Sequence, residues 1–276
     1  MSYFELKNGE QLYYEDVGTG PETIIMLHGY NSSHNRYSIP VSRLKDKLRC
    51  ITYDHRGHCN SKAATRETVT METLASDLNE IICGLSLDKF TLLGWSMGAG
   101  VALTYIDMYG CSALKQLVLS DMSPKMLNEG DWNLGLFQGK FTQETLEQLT
   151  QKAKDKDFYS LFEAFTIGVM PHLAKLPRFI VRRTIKKKMQ NCDEGVLRSL
   201  AISMEKQDNR DVVEKITVPL TYFYAEPGSL FSPKLAEWYG EQVKVPYKTV
   251  CFPNSDHRLI AHYPEKFADE VGKLFP

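Results

Sequence analysis

A serine framed by glycines, Gly94-Trp95-Ser96-Met97-Gly98, is the stretch of this chain best suited to chemistry. A hydroxyl acts as a nucleophile when it is lifted clear of its own backbone and given three helpers. These are a base for its proton, donors for the oxygen that turns negative, and an acid that orients the base. The lifting is a matter of local geometry. Residues 89–93 form an apolar run of strand length, and residues 99–109 are rich in helix formers. This order predicts a strand that reverses into a helix within a residue or two. The serine then sits at the apex in strained dihedrals, and the glycines remove side chains that would collide there.

The rest of the chain predicts the scaffold that must hold such a turn. Residues 3–16 read as a hairpin turning at Asn8-Gly9. Residues 23–27, 48–53, 90–93 and 114–119 are continuous runs suited to strands buried on both faces. Met71, Leu74, Ala75, Leu78, Ile81 and Ile82 follow helical spacing. Strand and helix alternate, which predicts an α/β fold with a mostly parallel central sheet and helices on both faces. After Asp121 the rhythm breaks. Residues from about 124 to 215 offer helical stretches (142–154, 158–168 and 177–190) and no convincing strand. Strand character returns at 220–224 and 247–252, and a final helix runs from 264 to 274. A helical block is thus inserted before the last two strands.

Composition narrows the function. Among 276 residues, 33 Lys and Arg nearly balance 34 Asp and Glu, so no global charge argues for nucleic acid. The first residues lack a basic, apolar leader, and no apolar run reaches membrane-spanning length. A cytoplasmic protein acting on a small molecule, with no membrane contact, is the expectation. Six scattered cysteines fit neither a disulfide framework nor a zinc ribbon. Cys50, Cys83 and Cys251 lie in apolar surroundings and are expected to be buried thiols. His55 and His58 have no clustered carboxylate or thiol beside them, so neither metal nor cofactor is expected. The basic run 182–188 reads as a solvated helix face, with an anionic substrate or a membrane surface as the other readings.

Three further pieces accompany the serine motif: Leu27-His28-Gly29-Tyr30, Tyr53-Asp54-His55-Arg56-Gly57-His58, and Asp256-His257 followed by His262-Tyr263-Pro264-Glu265. In this order and spacing the chain resembles the α/β-hydrolase superfamily over nearly its full length. Within it the chain is similar to the cofactor-free esterase, haloperoxidase and perhydrolase branch. The resemblance implies a core of 1–123 and 216–276 and a helical cap of 124–215. It implies Ser96 as nucleophile and His257, after the last strand in a polar loop, as base. The backbone N–H groups of Tyr30 and Met97 would form the oxyanion hole, and His28 and His55 would be structural. The implied reaction is cleavage of a small or medium carboxylic ester through an acyl-enzyme. Perhydrolysis, or cleavage of a carbon–carbon bond, lactone or amide, would use the same site. A ligand-binding protein with weak turnover is the reading from a different class.

The chain departs from the family pattern at two places. Where most relatives carry the acid after the penultimate strand, alignment puts Gly228. Asp121, after the strand ending at Leu119, is the favoured acid and Glu226 the runner-up. Asp256 is a poor candidate because adjacent side chains diverge. Cys59 stands where the family's Arg-Gly-His-Gly pattern has glycine. Trp132, Phe137, Phe141, Phe162, Phe165 and Met170 are apolar residues of the helical block. A lid that excludes water needs an apolar underside, and Phe137, with Trp95 and Phe231, is expected to line the pocket.

Overall fold

The strands β1 (Ser2–Glu5), β2 (Gln11–Val17), β3 (Glu22–Leu27), β4 (Leu48–Tyr53), β5 (Phe90–Trp95), β6 (Leu114–Ser120), β7 (Leu220–Gly228) and β8 (Tyr247–Asp256) join one sheet. Their order is β1-β2-β4-β3-β5-β6-β7-β8 in the computed structural model, which describes residues 2–63, 68–154, 158–228 and 230–276. The β1–β2 hairpin and the β2–β4 pair are antiparallel, and every pair from β4 to β8 is parallel. β3 shows why such runs are apolar throughout. Ile24 and Met26 enter one hydrophobic cluster and Ile25 and Leu27 the other, all four without solvent exposure. Successive side chains point to opposite faces, so a strand covered on both sides has no polar position to spare.

The helices that cover the sheet are α1 (Ser38–Leu44), α2 (Met71–Gly84) and α3 (Met97–Tyr109) before the insertion. Within the insertion lie α4 (Gln143–Lys154), α5 (Phe158–Val169), α6 (Arg178–Met189), α7 (Glu194–Lys206) and α8 (Arg210–Glu214). After β7 come α9 (Leu235–Gln242), α10 (Leu259–His262) and α11 (Pro264–Gly272). α2 and α3 share a cluster on one face, while residues of α1 and α11 share the cluster on the other. α2 starts at a reciprocal cap: Thr70 and Thr73 each accept, through the hydroxyl oxygen, the other's backbone N–H. The insertion divides between two clusters. Val196, Leu200 and Met204 join the main core, whereas Phe162, Val181, Ile185 and Leu197 pack as a small cluster of their own.

Two expectations need correction. Residues 253–256 are not a loop and the strand expected at 220–224 runs on to Gly228: β7 and β8 pair Pro227 with Ser255 and Gly228 with Asp256 beyond a register shift. Proline is tolerated because β8 is an edge strand and β7 has lost its β6 partner beyond Phe223. Of the three cysteines expected to be buried, only Cys50 is. Cys83 lies off the buried face of α2 and is exposed, and Cys251 is half-buried on the edge strand. Among the described residues no helix is long and apolar enough to cross a membrane.

Candidate active site

Ser96 stands between β5 and α3 with φ 55° and ψ −128°, in the left-handed region that side chains disfavour. Two glycines make room for it. A Cβ on Gly94 would lie 2.3 Å from the Gly98 carbonyl oxygen, and a Cβ on Gly98 would lie 2.2 Å from the Leu27 carbonyl oxygen. The Ser96 N–H donates to the Ser120 carbonyl (2.9 Å), and the Ser96 carbonyl accepts from Ala99 (2.8 Å) and Gly100 (3.2 Å). The turn is therefore clamped to β6 on one side and to the first turn of α3 on the other.

The parallel register brings distant residues to the same sheet edge. Trp95 pairs with Ser120, so Ser96 and Asp121 leave neighbouring strands side by side. Asp121 also has a positive φ of 48°, and its N–H donates to the Phe223 carbonyl (2.8 Å). His257 follows β8. Its Nε2 lies 2.7 Å from Ser96 Oγ and its Nδ1 lies 2.7 Å from Asp121 Oδ2. A carboxylate only accepts, which assigns the ring proton to Nδ1 and leaves Nε2 to accept from the serine hydroxyl. Ser96, His257 and Asp121 are 7%, 3% and 1% exposed. Trp95 Nε1 donates to the His257 carbonyl (3.0 Å), and the rings of Trp95 and Phe231 stand 5.3 and 6.0 Å from the imidazole. Glu226 is exposed and accepts from Cys251 Sγ at 3.5 Å. Asp256 pairs with Arg258.

The segment after β3 passes close over the serine. A Cβ on Gly29 would lie 3.0 Å from Ser96 Cβ and from the Trp95 ring, tighter than side chains ordinarily pack. Tyr30 follows, its hydroxyl donating to the Leu197 carbonyl in α7 (2.7 Å). Met97 is the first residue of α3, where a backbone N–H has no acceptor within its own helix. Behind this segment three histidines cluster, their rings edge-on or tilted to one another. His28 Nδ1 donates to the Gly29 carbonyl (2.8 Å), and its Nε2 accepts the His55 N–H (3.0 Å). The His28 ring lies 4.4 Å from His55 and 5.2 Å from His58. Burial, which penalises the charged ring, holds all three below the ordinary imidazole value, His55 at about 3. Among the described residues no group of three or more His, Cys, Asp or Glu side chains is placed to hold a metal ion. Cys59 adopts φ 46°, keeping the backbone that glycine would favour, and its N–H donates to the Asn191 carbonyl in the insertion (2.6 Å).

The remaining pocket candidate, Phe137, meets Phe141 edge-on at 6.0 Å and lies against Gly168, where a Cβ would come within 2.3 Å of its ring. Trp95 lines a cavity with Tyr30, Phe162, Phe165 and Met170. The sequence reading missed two cations there. Arg36 places its guanidinium 5.2 Å from the centre of the Trp95 ring, and Arg258 lies next to His257 in the chain. Neither belongs to a charge run, so no pattern along the sequence marks them.

The model of the family described as alpha/beta hydrolase fold matches residues 22–198. YisY, an AB hydrolase superfamily protein of Bacillus subtilis, is 24% identical, with 99% of this chain and 98% of that protein covered. Non-heme chloroperoxidase CPO-A1 of Kitasatospora aureofaciens is 28% identical over 46% of each chain. The alignments to the chloroperoxidases thus span about half the length of those curated relatives. Among solved structures, an esterase from Exiguobacterium antarcticum superposes with a TM-score of 0.81 at 27% identity, covering 99% of this chain and 98% of its own. A bromoperoxidase from Bacillus anthracis shares the fold, with a TM-score of 0.77 at 24% identity over 95% and 94% of the two chains.

Proposed function

The chain belongs to the alpha/beta hydrolase fold family, and from that premise we propose that it is a serine hydrolase cleaving a small or medium carboxylic ester. The observation that carries this reading is the unbroken chain of two 2.7 Å contacts from Ser96 Oγ through His257 to Asp121. In the first step His257 Nε2 takes the hydroxyl proton as Ser96 Oγ attacks the ester carbonyl carbon. Asp121 holds the ring in the tautomer that can accept, and it faces the positive charge that develops. The carbonyl oxygen becomes an oxyanion between the N–H groups of Tyr30 and Met97, each such donor contributing roughly 3 kcal/mol to the transition state. Nε2 then returns the proton to the departing alkoxide. Water, deprotonated by the same nitrogen, attacks the acyl-serine; the carbonyl carbon–Oγ bond breaks, Nε2 returns the proton to Ser96 Oγ, and the carboxylic acid leaves.

Residues 124–215 act in this reading as a cap. Phe162, Phe165 and Met170 close the cavity beside Trp95, and the Tyr30–Leu197 hydrogen bond ties the oxyanion segment to the cap. An apolar cover excludes water and strengthens the electrostatics beneath it. Purified protein is expected to hydrolyse 4-nitrophenyl butyrate, and Ser96→Ala to remove that turnover. Wild-type activity no greater than the variant's would overturn the reading. A second reading draws on the relatives named as chloroperoxidases: hydrogen peroxide in place of water would release a peracid from the same acyl-serine. Bromination of monochlorodimedone in acetate, peroxide and bromide would reveal it.

A further inference from the structure

Three cations converge on the cavity beside Trp95. Arg36, Arg258 and Lys188 come from the 3-10 turn after the oxyanion segment, from the residue after His257, and from α6. One carboxylate answers them. Asp256 holds Arg258 through contacts of 3.0 and 3.1 Å to Nε and a shorter one to Nη2. Among the described residues neither Arg36 nor Lys188 has an acidic partner. Arg36 Nε is buried without a hydrogen-bond partner, and the guanidinium carbon lies over the Trp95 ring. Lys188 turns its Nζ towards Met170 Sδ at 3.5 Å, at the rim. Asn31, in the same wall, carries a buried side-chain oxygen without a partner, an acceptor that a donor on the ligand, and not its carboxylate, would answer. Burial and the neighbouring charge of Arg258 pull the Arg36 guanidinium below its ordinary value, and Lys188 is lowered by burial and by both arginines.

Like charges gathered in a half-closed cavity destabilise one another, and a buried donor without an acceptor costs free energy that a ligand can restore. The missing partner is an anion. We infer that this cavity binds a carboxylate carried by the ester substrate, one side chain away from Ser96. Phe162, Phe165 and Val169 give the cavity apolar walls suited to a short carbon chain. A planar two-oxygen anion matches a guanidinium fork, and the apolar walls favour one carried on a short carbon chain over free phosphate. The inference rests on the reading of Ser96 as nucleophile and deepens it: the preferred substrates are monoesters of short dicarboxylic acids.

The test compares kcat/KM for mono-4-nitrophenyl glutarate and neutral 4-nitrophenyl butyrate, alongside calorimetric titration of glutarate and of inorganic phosphate into Ser96→Ala. A preference of about tenfold or more for the charged ester is expected, the equivalent of one charge-assisted hydrogen bond. That ratio should shrink in about 0.5 M salt. It should also shrink several-fold in Arg36→Gln, and in Lys188→Gln, which keeps the inference testable if the buried substitution impairs folding. A ratio near one with no glutarate binding overturns the inference and leaves the hydrolase reading intact. Phosphate binding without glutarate binding overturns it too. If neither ester is turned over, glutarate binding weakened by Arg36→Gln on the Ser96→Ala background supports the cavity and counts against the nucleophile. Its absence sinks the cavity as well.

Discussion

His257 and His55 are almost equally withdrawn from water, at 3% and 1% exposed, yet their surroundings differ in kind. His257 has a carboxylate 2.7 Å from one ring nitrogen and a hydroxyl 2.7 Å from the other. His55 faces two more imidazoles and a backbone carbonyl, and one of its ring nitrogens is buried without a partner. Both rings are withdrawn from water, but only one has partners that can exchange a proton and face the resulting charge. The other becomes a neutral spacer beneath the segment that follows β3. What a buried histidine can do is decided by the group opposite each nitrogen, not by how deep it lies.

The largest effect that would test this contrast is on turnover. His257→Ala is expected to lower kcat for 4-nitrophenyl butyrate by about 10⁴-fold to 10⁶-fold while leaving the urea midpoint close to wild type. A variant as active as wild type would erase the distinction between the two rings. Next comes the acid. Asp121→Asn should cost roughly 10⁴ in kcat because the ring would be held in the wrong tautomer. Glu226→Gln should change kcat less than about twofold, since this exposed side chain contacts Cys251 instead. Equal losses in the two variants would break the assignment.

A smaller effect reads out the cluster of His28, His55 and His58. In the folded chain His28, His55 and His58 are held below their unfolded value of 6.5. Below that pH the unfolded chain binds protons that the folded one refuses. Their contribution is therefore complete above about 6.5 and is lost as pH falls towards the folded value of His55, about 3. His34, held above 6.5, works against them. Urea unfolding between about pH 7.5 and 4 should show stability falling with acid, and His55→Gln should flatten the slope. An unchanged slope would remove the cluster from the acid response. The smallest effect concerns Cys59. Cys59→Gly should alter stability by less than about 1 kcal/mol, because relief of the positive φ offsets the lost side-chain contacts. A loss well above that would give the thiol a structural role.

Features that depend on neighbours in the chain were legible in the sequence. Gly94 reveals the turn because it answers a collision within five residues, whereas the reason for Gly98, the Leu27 carbonyl, lies far along the chain; the apolar runs reveal the strands because both faces are covered. Asp121 was legible as a candidate from its place after the β6 run. The extension of β7 and β8 through Pro227 and Pro253 was not, since proline reads as a breaker until the edge position of those segments is known. Nor was the meeting of Arg36, Lys188 and Arg258. Three cations from distant segments carry no mutual spacing, and only the fold brings them to one cavity.

The most direct test of the central claim is mass-spectrometric mapping after treatment with a fluorophosphonate probe, on the wild type and on His257→Ala. A single adduct on Ser96 in the wild type, strongly reduced in the variant, is the predicted result, because phosphonylation needs a serine whose proton the imidazole takes. An unlabelled Ser96 in folded wild-type protein, or labelling indifferent to His257, would contradict it.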